Sequence, residues 1–227
     1  MTDEPVLFPR LVAAADRDWV AYIRHRFVLL LATGALPEAC FRRYLVQDYL
    51  FLIHFARAWG LAIYKSDALG EMRRAQRLVA TTLDVEIGLH IDYCRGWGLS
   101  EAAMASEPEA PATIAYTRFV LDRGVAGDRL DLEVALAPCI VGYAVIAAEQ
   151  MRDPATLLEG NCYREWLEMY AGSDYQGLAS EAAAALDEQF ARRGGEGRFP
   201  TLANIFAAAA RLDPSAPAAY MRAPVAG

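Results

Sequence analysis

Residues 37–65 read PEACFRRYLVQDYLFLIHFARAWGLAIYK, and this stretch decides the fold class. Pro37 stands where a first-turn proline belongs. Apolar and aromatic side chains then recur at the i, i+3, i+4, i+7 spacing that places them on one face of a helix. These residues are Phe41, Tyr44, Leu45, Phe51, Leu52 and Phe55. The stretch therefore predicts a long, core-facing α-helix.

Helical signals continue on both sides of this stretch, and no Asn-Gly or Asp-Gly hairpin signal separates alternating strands. Short connections favour antiparallel packing of neighbouring helices. Helices are expected over about 16–32 (with Asp16 as N-cap), 68–95, a short piece from Ser100, 112–123, 131–150 (interrupted at Pro138), 163–170, 175–193 and 199–212. We therefore predict an all-α, single-domain helical bundle over residues 1–227, with 214–227 as an irregular, proline-containing tail.

Composition excludes several classes of protein. The chain has 227 residues, of which 55% are hydrophobic and 11% aromatic, too many for a disordered chain. Twenty-two Lys and Arg against 29 Asp and Glu give a net charge of −7. This balance argues against a partner that is nucleic acid or an anionic membrane surface, because both require basic patches.

The four cysteines form no CxxC motif, so neither a zinc ribbon nor a thioredoxin-type motif is supported. The N-terminus has no basic region followed by an apolar one, and the apolar runs are too short to span a bilayer. We therefore expect a cytoplasmic protein with free thiols.

Asp48 lies in the middle of the apolar stripe of residues 37–65. A carboxylate in that position loses hydration and must be paired, hydrogen-bonded or protonated. A purely structural carboxylate, bonded to a neighbouring helix or lying at the wet edge of the stripe, remains an alternative to a functional one.

Cys139 directly follows Pro138 inside a helical run. Proline removes a backbone donor and should kink the helix there, which can expose polar backbone to a cavity. With Tyr143 one turn later, Cys139 is a candidate nucleophile, although free cysteines usually behave as small buried hydrophobes. Cys40, Cys94 and Cys162 are given no role and are expected to be packing thiols.

Glu86 and His90 are one helical turn apart and could supply two metal ligands. Ferritin-like di-iron proteins instead use Glu-x-x-His on two helices, and no second copy is present. The spacing therefore favours a surface pair, or a pair that supports a site from behind, over a metal centre. The Gly-rich, P-loop, nucleophile-elbow and His-Glu-x-x-His motifs are all absent.

Four stretches together resemble the TenA (thiaminase II) family over nearly the whole chain. HRFVLLLATGALP at 25–37 resembles the end of the family's first helix, and FRRYLVQDYL at 41–50 resembles its most specific motif. LAPCIVGY at 136–143 resembles the nucleophile segment, and YREWLEMY at 163–170 also matches.

The resemblance implies a heme-oxygenase-like all-α fold, usually a homotetramer. It implies hydrolysis at the carbon attached to C5 of a 4-amino-2-methylpyrimidine, with an aminomethylpyrimidine or thiamine as the small-molecule substrate. The product would be the hydroxymethylpyrimidine used in thiamine salvage. It implies neither a metal nor an organic cofactor.

The same resemblance assigns residue roles. Cys139 would add to the pyrimidine ring, and Asp48 would bind and polarise its nitrogen and amino group. Tyr116 and Tyr170 would line the pocket and hydrogen-bond the reacting groups, and Tyr143 would flank the thiol. A neutral heteroaromatic ring becomes electrophilic only when a nitrogen is protonated or hydrogen-bonded, which a buried acid can achieve.

Two positions depart from the family pattern. Phe51 stands where the family usually has Tyr, so the ring can stack but lacks a hydroxyl group. Near the C-terminus the nearest match to the family's Glu is Asp213, one methylene shorter and followed by Pro214. Asp213 is nevertheless expected to be the general acid or base, with Glu86 as its substitute.

Two other functions remain open. A metal-dependent oxidase or oxygenase could use Glu86, His90 and Asp48 on the same scaffold, because fold does not fix function. A non-catalytic regulatory protein could retain the pyrimidine pocket, although the acidic chain has no helix-turn-helix signal.

Overall fold

The computed structural model describes residues 6–212, which form helices joined by turns and loops, with no β-strand in that range. The all-α prediction is confirmed. The described chain forms two compact units, a central unit of residues 37–132 and a discontinuous unit of residues 6–36 and 133–212. The single-domain assignment stays a prediction. The expected tail at 214–227 and Asp213 lie outside the described residues.

The helices follow one another along the chain with short connections. The first part of the discontinuous unit contains α1 (Leu7–Ala14), α2 (Asp16–Ile23) and α3 (Arg26–Ala32). The central unit contains α4 (Glu38–Tyr64), α5 (Leu69–Thr81), a first π turn (Thr82–Glu86), α6 (Ile87–Gly96), α7 (Glu101–Ser106) and α8 (Pro111–Ala126). The unit boundary falls within α9 (Arg129–Ala137), which is followed by a second π turn (Pro138–Gly142), α10 (Tyr143–Arg152), α11 (Arg164–Ala171), α12 (Ser173–Arg193), a 3₁₀ turn (Glu196–Arg198) and α13 (Phe199–Leu212).

Helix α4 is the axis of the central unit and packs against α5, α6 and α8. Every residue of its predicted apolar stripe is buried, as expected. Burial also extends around the helix, because each position from Tyr44 to Leu52 is buried. Because α4 is buried on all sides here, a polar side chain on it, such as that of Gln47, needs hydrogen-bond partners within the protein. Its Oε1 accepts from the Ala110 N–H at 2.7 Å and from the Thr113 hydroxyl at 2.9 Å.

The core of the discontinuous unit is aromatic where α13 packs against α1 and α2. The rings of Phe8 and Trp19 lie 5.6 Å apart, and Phe206 lies 5.7 Å from Phe8 and 5.6 Å from Trp19. Phe8 meets both other rings edge-to-face, and such packing adds to the free energy gained from area burial. Asp187 of α12 accepts from the backbone N–H groups of Val6 and Leu7, which anchors the start of α1.

The prediction of one helix over residues 16–32 is wrong. The chain forms two helices, because His25 adopts an extended backbone (ψ 144°) and caps α3. The His25 Nδ1 accepts from the Phe27 N–H at 3.2 Å, which replaces a bond of a continuous helix. Asp16 lies in the first turn of α2 and makes no cap hydrogen bond, and the preceding α1 was not predicted.

The predicted interruption at Pro138 is confirmed, because α9 ends at Ala137 and the second π turn begins at Pro138. The helical path continues from Arg129 to Arg152, and the missing proline donor falls within the wider second π turn. This run is long and apolar enough to cross a membrane by length and composition alone. In this protein 94% of its most apolar window is buried.

Three of the four cysteines are buried, namely Cys40, Cys94 and Cys139. Cys162 is exposed, so its expected role as a packing thiol is wrong. It lies in the connection that precedes α11, where the neighbouring Asn161 is buried instead and its amide donates to the carbonyl oxygen of Leu31 at 3.0 Å.

Candidate active site

Asp48 is a buried carboxylate on α4, with 7% of its surface exposed. Its Oδ2 accepts from the hydroxyl of Tyr44 at 3.2 Å and lies 2.7 Å from His90 Nε2. Tyr44 is one turn earlier on the same helix, whereas His90 comes from α6. The group is therefore held from two helices, which is the pairing that burial of a carboxylate demands.

His90 connects Asp48 to the first π turn. It is 5% exposed, and its Nδ1 lies 2.7 Å from the carbonyl oxygen of Glu86. That oxygen can only accept, so Nδ1 carries a hydrogen. Burial lowers the pKa of His90, but the hydrogen bond and negative charge of Asp48 and the carbonyl of Glu86 outweigh it, so the pKa is raised. Of the two expected alternatives, the surface pair is wrong for His90, which is buried and contacts Asp48.

Glu86 ends the first π turn and presents a half-buried carboxyl group to the same cluster. Burial, together with the nearby charge of Asp48, raises the pKa of Glu86 from 4.5 to about 7, and His90 opposes this rise only in part. A carboxyl group with this pKa can hold or release a proton near neutrality, which suits acid–base chemistry. We call Tyr44, Asp48, Glu86 and His90 the carboxylate cluster.

Aromatic rings lie next to the carboxylate cluster along α4. Phe51 follows Asp48 by one turn, and its ring centroid lies 5.8 Å from that of Tyr116 on α8 and 5.4 Å from that of Phe55. All three side chains are buried. Phe51 and Tyr116, both predicted site residues, are therefore in contact within the central unit.

Cys139 lies in the second π turn and is 6% exposed. Tyrosines from two other helices bind the backbone carbonyls of this turn. Tyr22 donates to Pro138 O at 3.0 Å, and Tyr175 lies 3.4 Å from Cys139 O and 3.2 Å from Ile140 O. These hydroxyls therefore contact the backbone that carries the thiol.

Tyr143 and Tyr170 belong to an aromatic cluster in the discontinuous unit. Their centroids are 4.7 Å apart, and Trp166 lies 5.8 Å from Tyr143 and 4.7 Å from Tyr170. Tyr175 packs edge-on against Tyr170 at 4.7 Å. The residue that holds the Cys139 carbonyl therefore also contacts a predicted pocket residue.

The predicted site residues thus form two groups. The central unit brings together Asp48 with Glu86 and Phe51 with Tyr116. The discontinuous unit holds Cys139 in its π turn and places Tyr143 against Tyr170. Asp213 lies outside the described residues, so its expected role stays a prediction.

Sequence reasoning missed the supporting residues Tyr22, Trp166 and Tyr175, and it left His90 without a partner. One signal was available for His90. Thr82, Glu86, His90 and Cys94 recur every four residues, and all four are buried or half-buried. No local signal identifies Tyr22 or Tyr175, because each meets the thiol turn from more than 30 residues away.

Within residues 6–212, no group of three or more His, Cys, Asp or Glu side chains is arranged to hold a metal ion.

Comparison with known proteins places this geometry in a family. The family model described as TENA/THI-4/PQQC matches residues 12–213. The chain is 32% identical over 179 residues to the aminopyrimidine aminohydrolase of Halalkalibacterium halodurans, covering 79% of this chain and 80% of that protein. It is 40% identical to an uncharacterized protein of Haemophilus influenzae over 178 residues, covering 77% of this chain and 80% of the relative.

A solved structure agrees with the sequence relatives. The crystal structure of a TenA family transcription regulator from Silicibacter sp. TM1040 is similar to this chain with a TM-score of 0.85 and 40% identity. The match covers 93% of this chain and 95% of that protein. The chain belongs to the TENA/THI-4/PQQC family.

Proposed function

We propose that the protein is a cysteine-dependent hydrolase of 4-amino-2-methylpyrimidine compounds, an aminomethylpyrimidine or thiamine, that releases hydroxymethylpyrimidine for thiamine salvage. The observation that carries the proposal is the buried Asp48, held by His90 and Tyr44, in a chain 32% identical to an aminopyrimidine aminohydrolase. A homotetramer, which the resemblance implies, and a cytoplasmic location, expected from the sequence, are part of the proposal.

The chemistry of Asp48 suits the amino-nitrogen edge of such a ring. Tyr44 and His90 both contact Oδ2, and no hydrogen bond to Oδ1 is seen within residues 6–212. A 4-aminopyrimidine protonated on its neighbouring ring nitrogen offers two parallel N–H donors, as a guanidinium does. A carboxylate can accept both, and such charge-assisted bonds are about twice as strong as neutral ones.

The proposed reaction begins with the thiolate of Cys139, which adds to the electron-poor ring. The ring then pushes out the leaving group from the exocyclic carbon: the amine of an aminomethylpyrimidine takes the bonding electrons and a proton, whereas the thiazolium of thiamine takes the bonding electrons alone and leaves as a neutral thiazole. Water attacks the same carbon and loses a proton. The sulfur–carbon bond breaks, the ring regains its aromaticity, and the thiol is regenerated. The net change is exchange of an amine, or of the thiazole in thiamine, for a hydroxyl group.

Other residues bind the ring and move the proton. Phe51 and Tyr116 offer a stacking surface, Tyr170 and Tyr143 contribute hydroxyl groups, and either Asp213 or Glu86 protonates the leaving group. Glu86 is suited to that step, because its pKa of about 7 leaves a proton available at neutral pH. Phe51 supplies no hydroxyl group, so any bond the family's Tyr makes there is absent.

The test is turnover of the wild-type protein in water labelled with ¹⁸O, using thiamine and 4-amino-5-aminomethyl-2-methylpyrimidine in separate reactions. Mass spectrometry is expected to find hydroxymethylpyrimidine carrying ¹⁸O on its hydroxyl group from at least one substrate. The relative rates identify the preferred substrate.

Two outcomes would contradict the proposal. Binding of both compounds without conversion would indicate a regulatory, ligand-binding protein instead. Conversion that consumes O₂ and depends on iron would indicate an oxygenase.

A further inference from the structure

The two oxygen contacts of His90 limit the protonation states that its ring can adopt. Both ring nitrogens face oxygen atoms at 2.7 Å, the carbonyl of Glu86 and the carboxylate of Asp48. The carbonyl requires a hydrogen on Nδ1. The remaining choice is whether the proton between Nε2 and Oδ2 resides on the histidine or on the aspartate.

We propose that His90 is a positioning residue that, as an imidazolium bridging Glu86 O and Asp48 Oδ2, keeps Asp48 an oriented carboxylate for the amino-nitrogen edge of the pyrimidine. The inference rests on the proposed function, since it concerns the same ligand. His90 touches no ligand in this scheme. It acts through Asp48, whose Oδ2 it occupies and whose Oδ1 it leaves to accept the ligand.

The geometry supports the ionised arrangement. An imidazolium donates from both nitrogens, which satisfies both oxygens and pairs a buried anion with a buried cation. The opposite arrangement, a neutral histidine and a protonated aspartic acid, would leave Asp48 an acceptor without charge. Although burial lowers the pKa of His90, Asp48 raises it, and this also favours the imidazolium form.

The first π turn positions the backbone carbonyl of Glu86 to accept a hydrogen bond from the His90 ring. His90 follows Glu86 by four residues, and the backbone carbonyl of Glu86, the last residue of the turn, is the oxygen that Nδ1 binds. The side chain of Glu86 remains available to the cluster as a second titrating group. A π turn inside a helical run is frequently a feature of a functional site.

Other charged groups on the elements that pack around α4 have partners of their own. Glu71 of α5 is bound by Arg129 at 3.3 Å, and Glu101 of α7 accepts from Tyr49 at 3.3 Å. Besides Tyr44 and Asp48 of α4, the buried or half-buried titratable or charged groups on the helices and the π turn that pack against α4 are Glu71, Arg74, Glu86, His90, Tyr93, Cys94, Tyr116 and Arg123. Of these, Asp48 and Glu86 are the groups whose charges act on the pKa of His90.

The charge of His90 is read directly by ¹⁵N NMR of wild-type protein labelled at histidine, without ligand or turnover. The chain has three histidines. Burial lowers the pKa of His25 and of His54, so both are expected to be neutral at about pH 7.5. One histidine with both nitrogens protonated is expected, and its signal should be absent from H90Q. Three neutral histidines would overturn the inference.

Titration calorimetry with 4-amino-5-hydroxymethyl-2-methylpyrimidine, the proposed product, tests the role of His90 in ligand binding. His90→Gln can keep an N–H donor near Oδ2 but carries no charge, so the buried carboxylate of Asp48 loses the cation that pairs with it at a pH where the wild-type histidine is protonated. Relative to wild type, we expect binding about tenfold weaker at about pH 6 and less than about threefold weaker at about pH 8.5. His90→Asn, which cannot reach Asp48, should bind more weakly than His90→Gln at both pH values.

The outcomes separate this inference from the proposed function. A ratio of affinities that does not change with pH, in variants whose circular dichroism and melting match wild type, would overturn the positioning role while leaving the hydrolase proposal intact. Wild-type protein that fails to bind the pyrimidine would overturn both. If neither variant folds, ¹⁵N NMR of His25→Gln and His54→Gln, which remove the other two histidines, assigns the signal of His90 by elimination and still decides its charge.

Discussion

At the scale of single residues, Glu86 combines a catalytically useful pKa with an energetic cost. Its pKa is about 7 in the folded protein and near 4.5 when exposed, so between these values the folded state holds a proton that the unfolded state releases. Stability therefore falls as pH rises through this window. His90 acts in the same direction, because its raised pKa gives stability that is lost as pH rises.

We predict that Glu86→Gln removes this pH dependence. The neutral amide mimics the protonated acid, so the variant should match wild type at about pH 5 and exceed its free energy of unfolding by up to about 3 kcal/mol at about pH 8. Urea unfolding at both pH values measures the difference. Glu181→Gln, at an exposed position of α12, is the matched control and should leave the wild-type profile unchanged. If the free energy of unfolding depended on pH in the same way in wild type and Glu86→Gln, the raised pKa of Glu86 would be contradicted.

The residues of the candidate site differ in how readily the sequence predicts them. Asp48 was predictable because a carboxylate within an apolar stripe must find a partner. The partner itself was not, because His90 is 42 residues away and reaches Asp48 only through the packing of α6 on α4. Cys139 was singled out by Pro138, but the tyrosines that hold its turn come from α2 and α12.

At the scale of elements, both π turns carry a candidate residue. Thr82–Glu86 ends on Glu86, and Pro138–Gly142 contains Cys139. A π turn adds a residue to one turn of a helix, so it redirects a side chain and alters carbonyl bonding without ending the helix. Sequence patterns predicted helix in both places, and confirmed helices surround them. The widened turn was not predictable, since apolar periodicity does not resolve a single inserted residue.

Gly142 is required by the second π turn. A Cβ at this position would lie 2.7 Å from Tyr22 Cε1 and 3.0 Å from its hydroxyl oxygen. That hydroxyl donates to Pro138 O, so a methyl group would displace the ring that secures the turn. A side chain here conflicts with packing rather than with backbone conformation.

We predict that Gly142→Ala destabilises the protein by about 1–3 kcal/mol and lowers turnover of the pyrimidine substrate. Gly177→Ala in α12 is the matched control. No atom lies within 4 Å of its Cβ position, so alanine should be neutral or stabilising by up to about 1 kcal/mol. Chemical unfolding and steady-state turnover of both variants measure these effects. Equal stability of Gly142→Ala and wild type would mean that the turn tolerates the displacement of Tyr22.

At the scale of the whole molecule, helix content and most helix positions were predictable, because long apolar stripes and Gly or Pro boundaries are local signals. Residues 38–64 and 199–212 agree closely with expectation. The break at His25 was missed, because a histidine cap and an extended backbone outcompete continuation of the helix there. Division into two compact units depends on long-range packing, which no local pattern encodes.

Membership of the TENA/THI-4/PQQC family does not by itself fix the activity, because one fold supports different chemistries. Relatives of this chain include both an aminopyrimidine aminohydrolase and a protein described as a transcription regulator. The decisive question for the whole molecule is whether its buried thiol performs chemistry. The exposed Cys162 provides an internal comparison, since it is a free thiol in the same unit.

The most direct measurement is therefore release of hydroxymethylpyrimidine by wild type, Cys139→Ala and Cys162→Ala, each verified as folded by circular dichroism. Loss of a nucleophile that forms a covalent intermediate should reduce kcat at least about 10³-fold in Cys139→Ala, whereas Cys162→Ala should retain wild-type turnover. Turnover by Cys139→Ala within a few-fold of wild type would contradict the account.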